Sequence, residues 1–583
     1  ENYFFLQSLK FRQNSCMKNI RFVTFCFFIF SFQIAFSQQN INPYQYQINK
    51  NVTCKNGAVV SAHALASEIG VNILKQGGNA VDAAIAIQLA LAVVFPGAGN
   101  IGGGGFMIVH LSNGKNMAID FREVAPGKAS RDMYLDANGN PDPKLSQDGH
   151  LAVSVPGSVA GMFAALKYAK FPFKKLVQPA IDLAENGFVI SDDEARSFNS
   201  AKDDFIKLNT TVPLFVKNTP WKAGDTLVQK DLANTLKRIR DNGAKGFYEG
   251  ETARLIVQEM KRGKGLVSAA DLKSYKPIVR EPLIFNYKGN TVVTMPLSSS
   301  GGILLEQMMK MSSMEHIDKM KFETPQSVQL MTEIERRAYA DRAKYLGDPA
   351  FVKVPVKTLV SEAYLRKRMS DYKPGVAGNS KDVKAGFIGN ESNETTHFDV
   401  LDKDGNAVSE TTTLNGWFGS KTVVAGAGFF LNNEMDDFSA KPGAPNMYGA
   451  VGAEANEIAP HKRMLSSMTP TIVLKNNKPW IIVGTPGGTT IPTSVYQTLI
   501  DIIDFNMNPE DAVNSPKFHH QWLPDELYVE NTFDTNVSDA LKKMGYKISI
   551  MFGIGRTEVI MEEPDGVITG VADKRGEDAA VGY

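Results

Sequence analysis

Apolar residues recur at helical spacing over most of this chain, and the stretches that depart from it are short. Residues 65–76 and 80–94 carry the helical pattern, and Gly77-Gly78 closes the first of them. Residues 106–110 and 117–121 read as strands, and 155–161 opens a further helix with Ser158 as its cap. The section 173–372 is mostly helical by periodicity, with one strand near 291–295 and a Ser-Ser-Ser-Gly-Gly turn at 298–302. Residues 397–401 and 407–414 alternate with period 2 on either side of Asp404-Gly405, which predicts a β-hairpin. Strands at 471–474 and 480–483 pair about Asn476-Asn477, and a helix follows over 489–505. Residues 38–56 are polar and aperiodic, so the fold is expected to begin at Gly57. Residues 129–150 and 441–449 read as loops.

The hairpin also suggests chemistry. A turn-prone segment with Gly389, Asn390, Ser392 and Asn393 leads into Thr395 and Thr396, which open the first strand. Threonines at a strand start are ordinary β-propensity. A hydroxyl there, behind a flexible segment, is also what an N-terminal nucleophile needs. Breaking the Glu394–Thr395 bond would give Thr395 a free α-amine beside its own hydroxyl. That amine has a reference pKa of ~7.7 to 8.0, so a neutral fraction near pH 7 can take the hydroxyl proton. Strands flanked by long helices on both sides of the bond predict an α/β (α+β) fold, an αββα four-layer sandwich formed jointly by two products.

Composition narrows the function without naming it. With 63 basic and 62 acidic residues among 583, the net charge of +1 shows no bias toward nucleic acid or an anionic membrane. The run from Met17 through Arg21 and the Phe-rich 22–30 to Ala35-Phe36-Ser37 has the three regions of a secretory signal peptide. The expected division is a non-native lead and signal over 1–37, a large product over 38–394 and a small catalytic product over 395–583. Ser31 and Gln33 interrupt the apolar run short of the ~18 residues that argue for spanning, so no stable membrane anchor is expected. Removing the signal leaves Cys54 as the one cysteine and no zinc-like spacing, so no metal is expected. The formal G-x-G-x-x-G at 97–102 follows a helix and precedes a strand, the reverse of a dinucleotide fingerprint.

Five segments lie in order along the chain: Asp120-Phe121-Arg122-Glu123, Thr395-Thr396-His397, Leu431 to Phe438, Leu465-Ser466-Ser467-Met468-Thr469-Pro470, and Gly484-Thr485-Pro486-Gly487-Gly488. Together they resemble the motifs of the γ-glutamyltransferase family (γ-glutamyl transpeptidase, glutathione hydrolase), N-terminal-nucleophile hydrolases, from about Gly57 to Tyr583. The resemblance implies a self-cleaving enzyme without cofactor that acts on glutathione and other γ-glutamyl amides and passes the group to water, amino acids or peptides. It implies Thr395 as nucleophile, Thr413 and Asn415 as positioning groups, and Gly487 and Gly488 as oxyanion hole. Such a donor carries a carboxylate and an ammonium. Arg122 with Ser466 and Ser467 suits the first, and Glu434 with Asp437 the second. Residues 441–449 match a lid with Tyr448 as its closing residue, and 97–105 should be a tight packing region. Met464 stands where many relatives have Pro, which leaves the backbone there open. An exported location, periplasmic or extracellular, is expected. A glutaryl or cephalosporin acylase, a poly-γ-glutamate depolymerase, or a non-catalytic binding protein on the same fold are the alternatives.

Overall fold

The computed structural model describes residues 41–383, 395–444, 446, 447, 449 and 451–583. The expected signal segment lies outside them. Two seven-stranded sheets, antiparallel throughout, organise the described chain. The expected hairpin is present, as Thr396–Leu401 paired with Ala407–Thr413 in register Thr396↔Thr412. It sits at the centre of its sheet. Ala58–Ser61 lines one side, with Ala579–Gly582 beyond it, and Gly104–His110 lines the other, followed by Asn116–Asp120 and Ile278–Arg280. Both faces of the hairpin are therefore buried. The period-2 pattern separates two interiors rather than core from solvent.

One interior lies between the sheets. Val60, Phe106 and Ile108 meet Val293, Ile472, Ile482 and Ile560 there. Helices Ala64–Lys75 and Ala80–Val94 pack on the outside of the hairpin sheet. On the outer face of the other sheet, Gly301–Met314, Pro325–Tyr345 and Thr490–Ile503 enclose a larger apolar cluster with Val473, Ile481 and Val483. The order is helix, sheet, sheet, helix, as expected. Each sheet combines strands from both sides of residue 394, so both products of a cut at that bond would share each sheet.

Several expectations change. Asn51–Cys54 is a strand paired with Ile568–Val571, so the fold begins before Gly57. A strand needs only a vacant edge, and this one is supplied by residues more than 500 positions away. Ile278–Arg280 and Leu283–Tyr287 are strands in a section read as helical, and Pro143–Gln147 is a short helix in a section read as loop. The turn at 298–302 passes directly into the helix that starts at Gly301. Ser158 does not cap. It is the first helical residue, and its hydroxyl donates to Asn100 Oδ1 at 2.6 Å. Asn476 and Asn477 both adopt positive φ, at 53° and 62°, the geometry a tight hairpin turn requires. The Gly-rich stretch is the tight packing region expected: a Cβ on Gly103 would stand 2.0 Å from the Thr413 carbonyl oxygen.

The two sheets meet at His397. Its imidazole is fully buried, bonded to Thr411 Oγ1 at 2.8 Å and to Asp399 Oδ1 at 3.0 Å. The ring lies against the bare backbone of Gly484, last residue of the strand Lys478–Gly484 in the opposite sheet. A methyl group on Gly484 would fall 2.1 Å from His397 Cε1. Gly484→Ala is therefore expected to destabilise the protein by ~1 to 3 kcal/mol, the usual cost of overpacking. Thermal unfolding should show the loss, and an unchanged melting temperature would contradict this packing.

Candidate active site

Because the central ladder fixes the strand, it also fixes the residue that precedes it. Thr395 stands immediately before Thr396–Leu401, 7% exposed, in the wall of a cavity. Thr413, at the end of the paired strand, lines the same cavity. Its Oγ1 accepts a hydrogen bond from the Asn415 backbone N–H at 2.7 Å. Asn415 also lines the cavity, with φ at +75° in the left-handed region that Asn tolerates, and its Nδ2 donates to the Asn433 carbonyl at 3.1 Å.

Charge enters from two other elements. Arg122 follows the strand Asn116–Asp120, and Asp120 Oδ1 accepts from its backbone N–H at 3.0 Å. Its Nε donates to the Met464 carbonyl at 3.4 Å, so the residue that left the local backbone open closes against the arginine. Glu434 and Asp437 stand on a single 3-10 turn, Glu434–Asp437. The expectation assigned Arg122 to a ligand carboxylate and these two acids to a ligand ammonium. In the structure Arg122 pairs with both acids directly, and Glu123 Oε2 lies 3.6 Å from the same guanidinium. A guanidinium 1% exposed cannot stay unpaired, because desolvation without a partner costs too much. Burial pushes the Glu434 carboxyl well above the usual carboxylate range and raises that of Asp437, against the pull of Arg122. Burial likewise pushes Glu123 up to about 8.

Ser466 and Ser467 complete this part of the wall. The Ser466 carbonyl accepts from Ser300, from N–H at 2.8 Å and from Oγ at 2.7 Å. Ser467 Oγ accepts from Arg342 Nη2 at 3.0 Å. Gly487 and Gly488 have φ at +138° and +55°, backbone that glycine reaches without strain. The helix behind them starts at Thr490, one residue later than expected, with Thr489 as its N-cap. Gly488 and Thr489 line the cavity, whereas Gly487 lies one residue behind its lining.

Thus Thr395, Thr413, Asn415, Arg122, Glu434, Asp437, Ser466, Ser467 and Gly488 converge on one cavity from five separate stretches of chain. Glu394 and Tyr448, the other side of the expected cut and the expected closing residue of the lid, lie outside the described residues. Several contributors were not anticipated, Asn446, Glu123 and Arg342 among them. Asn446 Nδ2 donates to Asp437 Oδ1 at 3.0 Å, Glu123 backs Arg122, and Arg342 reaches in from the helix Pro325–Tyr345. Glu123 could have been suspected from its place in the Phe-Arg-Glu segment. Nothing local distinguishes Arg342 from Arg336 and Arg337 on the same helix. Among the described residues no group of three or more His, Cys, Asp or Glu is placed to hold a metal ion.

Comparison with known proteins adds an independent observation. The family model for Gamma-glutamyltranspeptidase matches residues 66–583. The glutathione hydrolase proenzyme of Escherichia coli is 46% identical over 550 residues, which cover 93% of this chain and 95% of that protein. The crystal structure of cephalosporin acylase from Bacillus halodurans superposes with a TM-score of 0.80 at 26% identity, covering 93% of this chain and 98% of that one. The Helicobacter pylori gamma-glutamyltranspeptidase structure matches 56% of this chain and 94% of its own at 45% identity, with a TM-score of 0.55.

The raised carboxyl of Glu123 has a consequence for stability. The folded protein holds this proton up to about pH 8, whereas the unfolded chain releases it near 4.5. The stabilisation it contributes is full below 4.5 and is lost as pH rises through about 8. Glu123→Gln should therefore flatten the fall in melting temperature between pH 5 and 8 relative to the wild type. Parallel melting curves for the two proteins across that range would rule out a neutral Glu123.

Proposed function

The chain is an enzyme of the gamma-glutamyltranspeptidase family, and from that membership we propose that it cuts itself between Glu394 and Thr395 and then works through a γ-glutamyl ester on Thr395. The observation that carries this reading is the convergence of a buried threonine hydroxyl, glycine backbone and a two-signed charge cluster on one cavity. In maturation, the Thr395 hydroxyl attacks the Glu394 carbonyl. The resulting ester is opened by water, and the α-amine of Thr395 is freed as its base. The products would be a large subunit over 38–394 and a small subunit over 395–583, held as a heterodimer by the shared sheets. The segment before residue 38 would direct export, to a periplasmic or extracellular location. Among the described residues no helix is long and apolar enough to cross a membrane.

In turnover the same hydroxyl attacks a γ-glutamyl amide such as glutathione. Gly487 and Gly488 supply backbone N–H groups to the oxyanion. A donor brings one carboxylate and one ammonium, and the Arg122 cluster can exchange internal pairs for these without a net change in charge. The carboxylate takes Arg122 with Ser466 and Ser467, and the ammonium takes Glu434 and Asp437. Water or an amino acid or peptide then removes the acyl group. Thr413 and Asn415 hold the nucleophile and donor in place, and Tyr448 closes the lid over 441–449.

Purified wild-type protein should run as two chains on denaturing electrophoresis, the smaller beginning Thr-Thr-His-Phe, while Thr395→Ala stays whole. Any other N-terminus would displace the cleavage site. An acylase on this scaffold is the competing activity, and substrate preference separates the two. A glutaryl amide keeps the distal carboxylate but lacks the α-ammonium, and each acid of the site left without that partner costs at least ~1 to 3 kcal/mol. The kcat/KM ratio for γ-glutamyl over glutaryl anilide should be at least ~10², and Asp437→Ala should shrink it by harming the γ-glutamyl substrate. Comparable rates on both substrates would favour the acylase.

A further inference from the structure

The turn at Gly487 and Gly488 is held from behind by a hydroxyl that lies outside the cavity. Thr485 follows Gly484, the last residue of the strand Lys478–Gly484. Its Oγ1 accepts from the Arg556 backbone N–H at 2.7 Å and donates to the Pro486 carbonyl at 2.7 Å. We propose that Thr485 is a positioning residue for the oxyanion hole: its hydroxyl turns the Pro486–Gly487 peptide so that the Gly487 N–H faces the nucleophile. The proposal rests on the reading of Gly487 and Gly488 as oxyanion donors given above.

Peptide geometry is the first argument. The Pro486–Gly487 bond is trans, so its carbonyl and its N–H lie in one plane and point in opposite directions. Whatever fixes the Pro486 oxygen therefore fixes the Gly487 proton. Thr485 and Arg556 are not part of the cavity lining, so the carbonyl is drawn away from the cavity and the N–H is turned back toward it. The next peptide is held in the same manner. The Gly487 carbonyl accepts from the Thr490 N–H at 2.9 Å and from Thr490 Oγ1 at 2.8 Å, which fixes the Gly488 N–H in turn.

The direction of the hydrogen bonds is the second argument. A backbone N–H can only donate, so Arg556 occupies a lone pair of Thr485 Oγ1 and leaves the hydroxyl proton for Pro486. The hydroxyl is thereby held in one orientation.

The space behind the turn is also filled. A Cβ on Gly487 would stand 3.4 Å from Gly555 Cα, and one on Gly555 would stand 2.6 Å from Ser494 Oγ and 3.0 Å from Thr485 Oγ1. Backbone packed this closely leaves the turn little room to flip. Arg556 then anchors the packed loop to the other sheet. Its Nε and Nη2 donate to Asp578 Oδ1 at 3.0 and 2.8 Å, and its guanidinium lies 5.4 Å from the centre of the Phe95 ring. Asp578 is fully buried and directly precedes Ala579–Gly582 in the hairpin sheet. The ion pair therefore runs from the oxyanion turn to the sheet that carries Thr395, and it ties the donor to the nucleophile.

The test uses the fact that the oxyanion forms on the way through the reaction and not in the bound donor. A misaimed N–H should lower kcat and kcat/KM together and leave KM in place. Thr485→Val keeps the shape of the side chain and removes the hydroxyl. On the matured, two-chain protein acting on a γ-glutamyl anilide, it should lower kcat at least ~10-fold with KM within about 2-fold of the wild type. Thr485→Ser restores the hydroxyl and should recover most of that loss. A raised KM at unchanged kcat, kinetics like those of the wild type, or a Thr485→Ser protein as slow as Thr485→Val would each overturn the proposal alone. Should Thr485→Val fail to fold or mature, Thr485→Ala decides by the same criterion. A wild-type protein inactive on every γ-glutamyl donor would instead overturn the reading of Gly487 as an oxyanion donor, and the proposal with it.

Discussion

The backbone ladder at the middle of the hairpin sheet is the constraint on which the rest of this structure depends. Thr396–Leu401 is bonded on one side to Ala58–Ser61 and on the other to Ala407–Thr413. A strand with neighbours on both sides cannot shift register without breaking two ladders and exchanging both of its buried faces. Thr395 inherits that fixity as the residue just before the strand. Thr413 inherits it from the other strand, and Gly484 is held against the same sheet by the His397 ring. The proposed nucleophile and the proposed oxyanion donors need fixed spacing, which rigid strands supply better than loops.

Electrostatics adds a second requirement. Arg122, Glu123, Glu434 and Asp437 bring three acids to one guanidinium in a largely water-excluded setting. Burial raises all three carboxyls, against the pull of Arg122. A zwitterionic ligand part offers one charge of each sign, so it can replace internal pairs without leaving a buried ion alone. A ligand with neither charge could not.

The same scaffold serves related activities. The acylase from Bacillus halodurans shares this fold over nearly the whole chain at 26% identity. Fold therefore separates neither activity from the other, and the distinction has to lie in side chains at the cavity. Residues 122, 434 and 437 come from two distant parts of the chain and meet only after folding, so a few substitutions there can change the ligand while the sheets remain.

Local signals in the sequence determined the hairpin and its turn, the helices 64–75 and 80–94, the Asn476-Asn477 turn and the layered fold, because periodicity and turn chemistry act over a few residues. The five motifs likewise pointed to Arg122, Thr395, Glu434, Asp437, Ser466, Ser467 and Gly488 in the cavity wall. Tertiary structure alone decided what those side chains face. Asn51–Cys54 became a strand because a distant edge was vacant, and the Ser158 hydroxyl donates to Asn100, 58 positions away, instead of capping. Arg122 paired with Glu434 and Asp437, and Arg342 arrived from a helix with no distinguishing signal. Burial removes water as the default partner of a charge, and which group replaces it is set by distance in space, which the order of residues along the chain does not record.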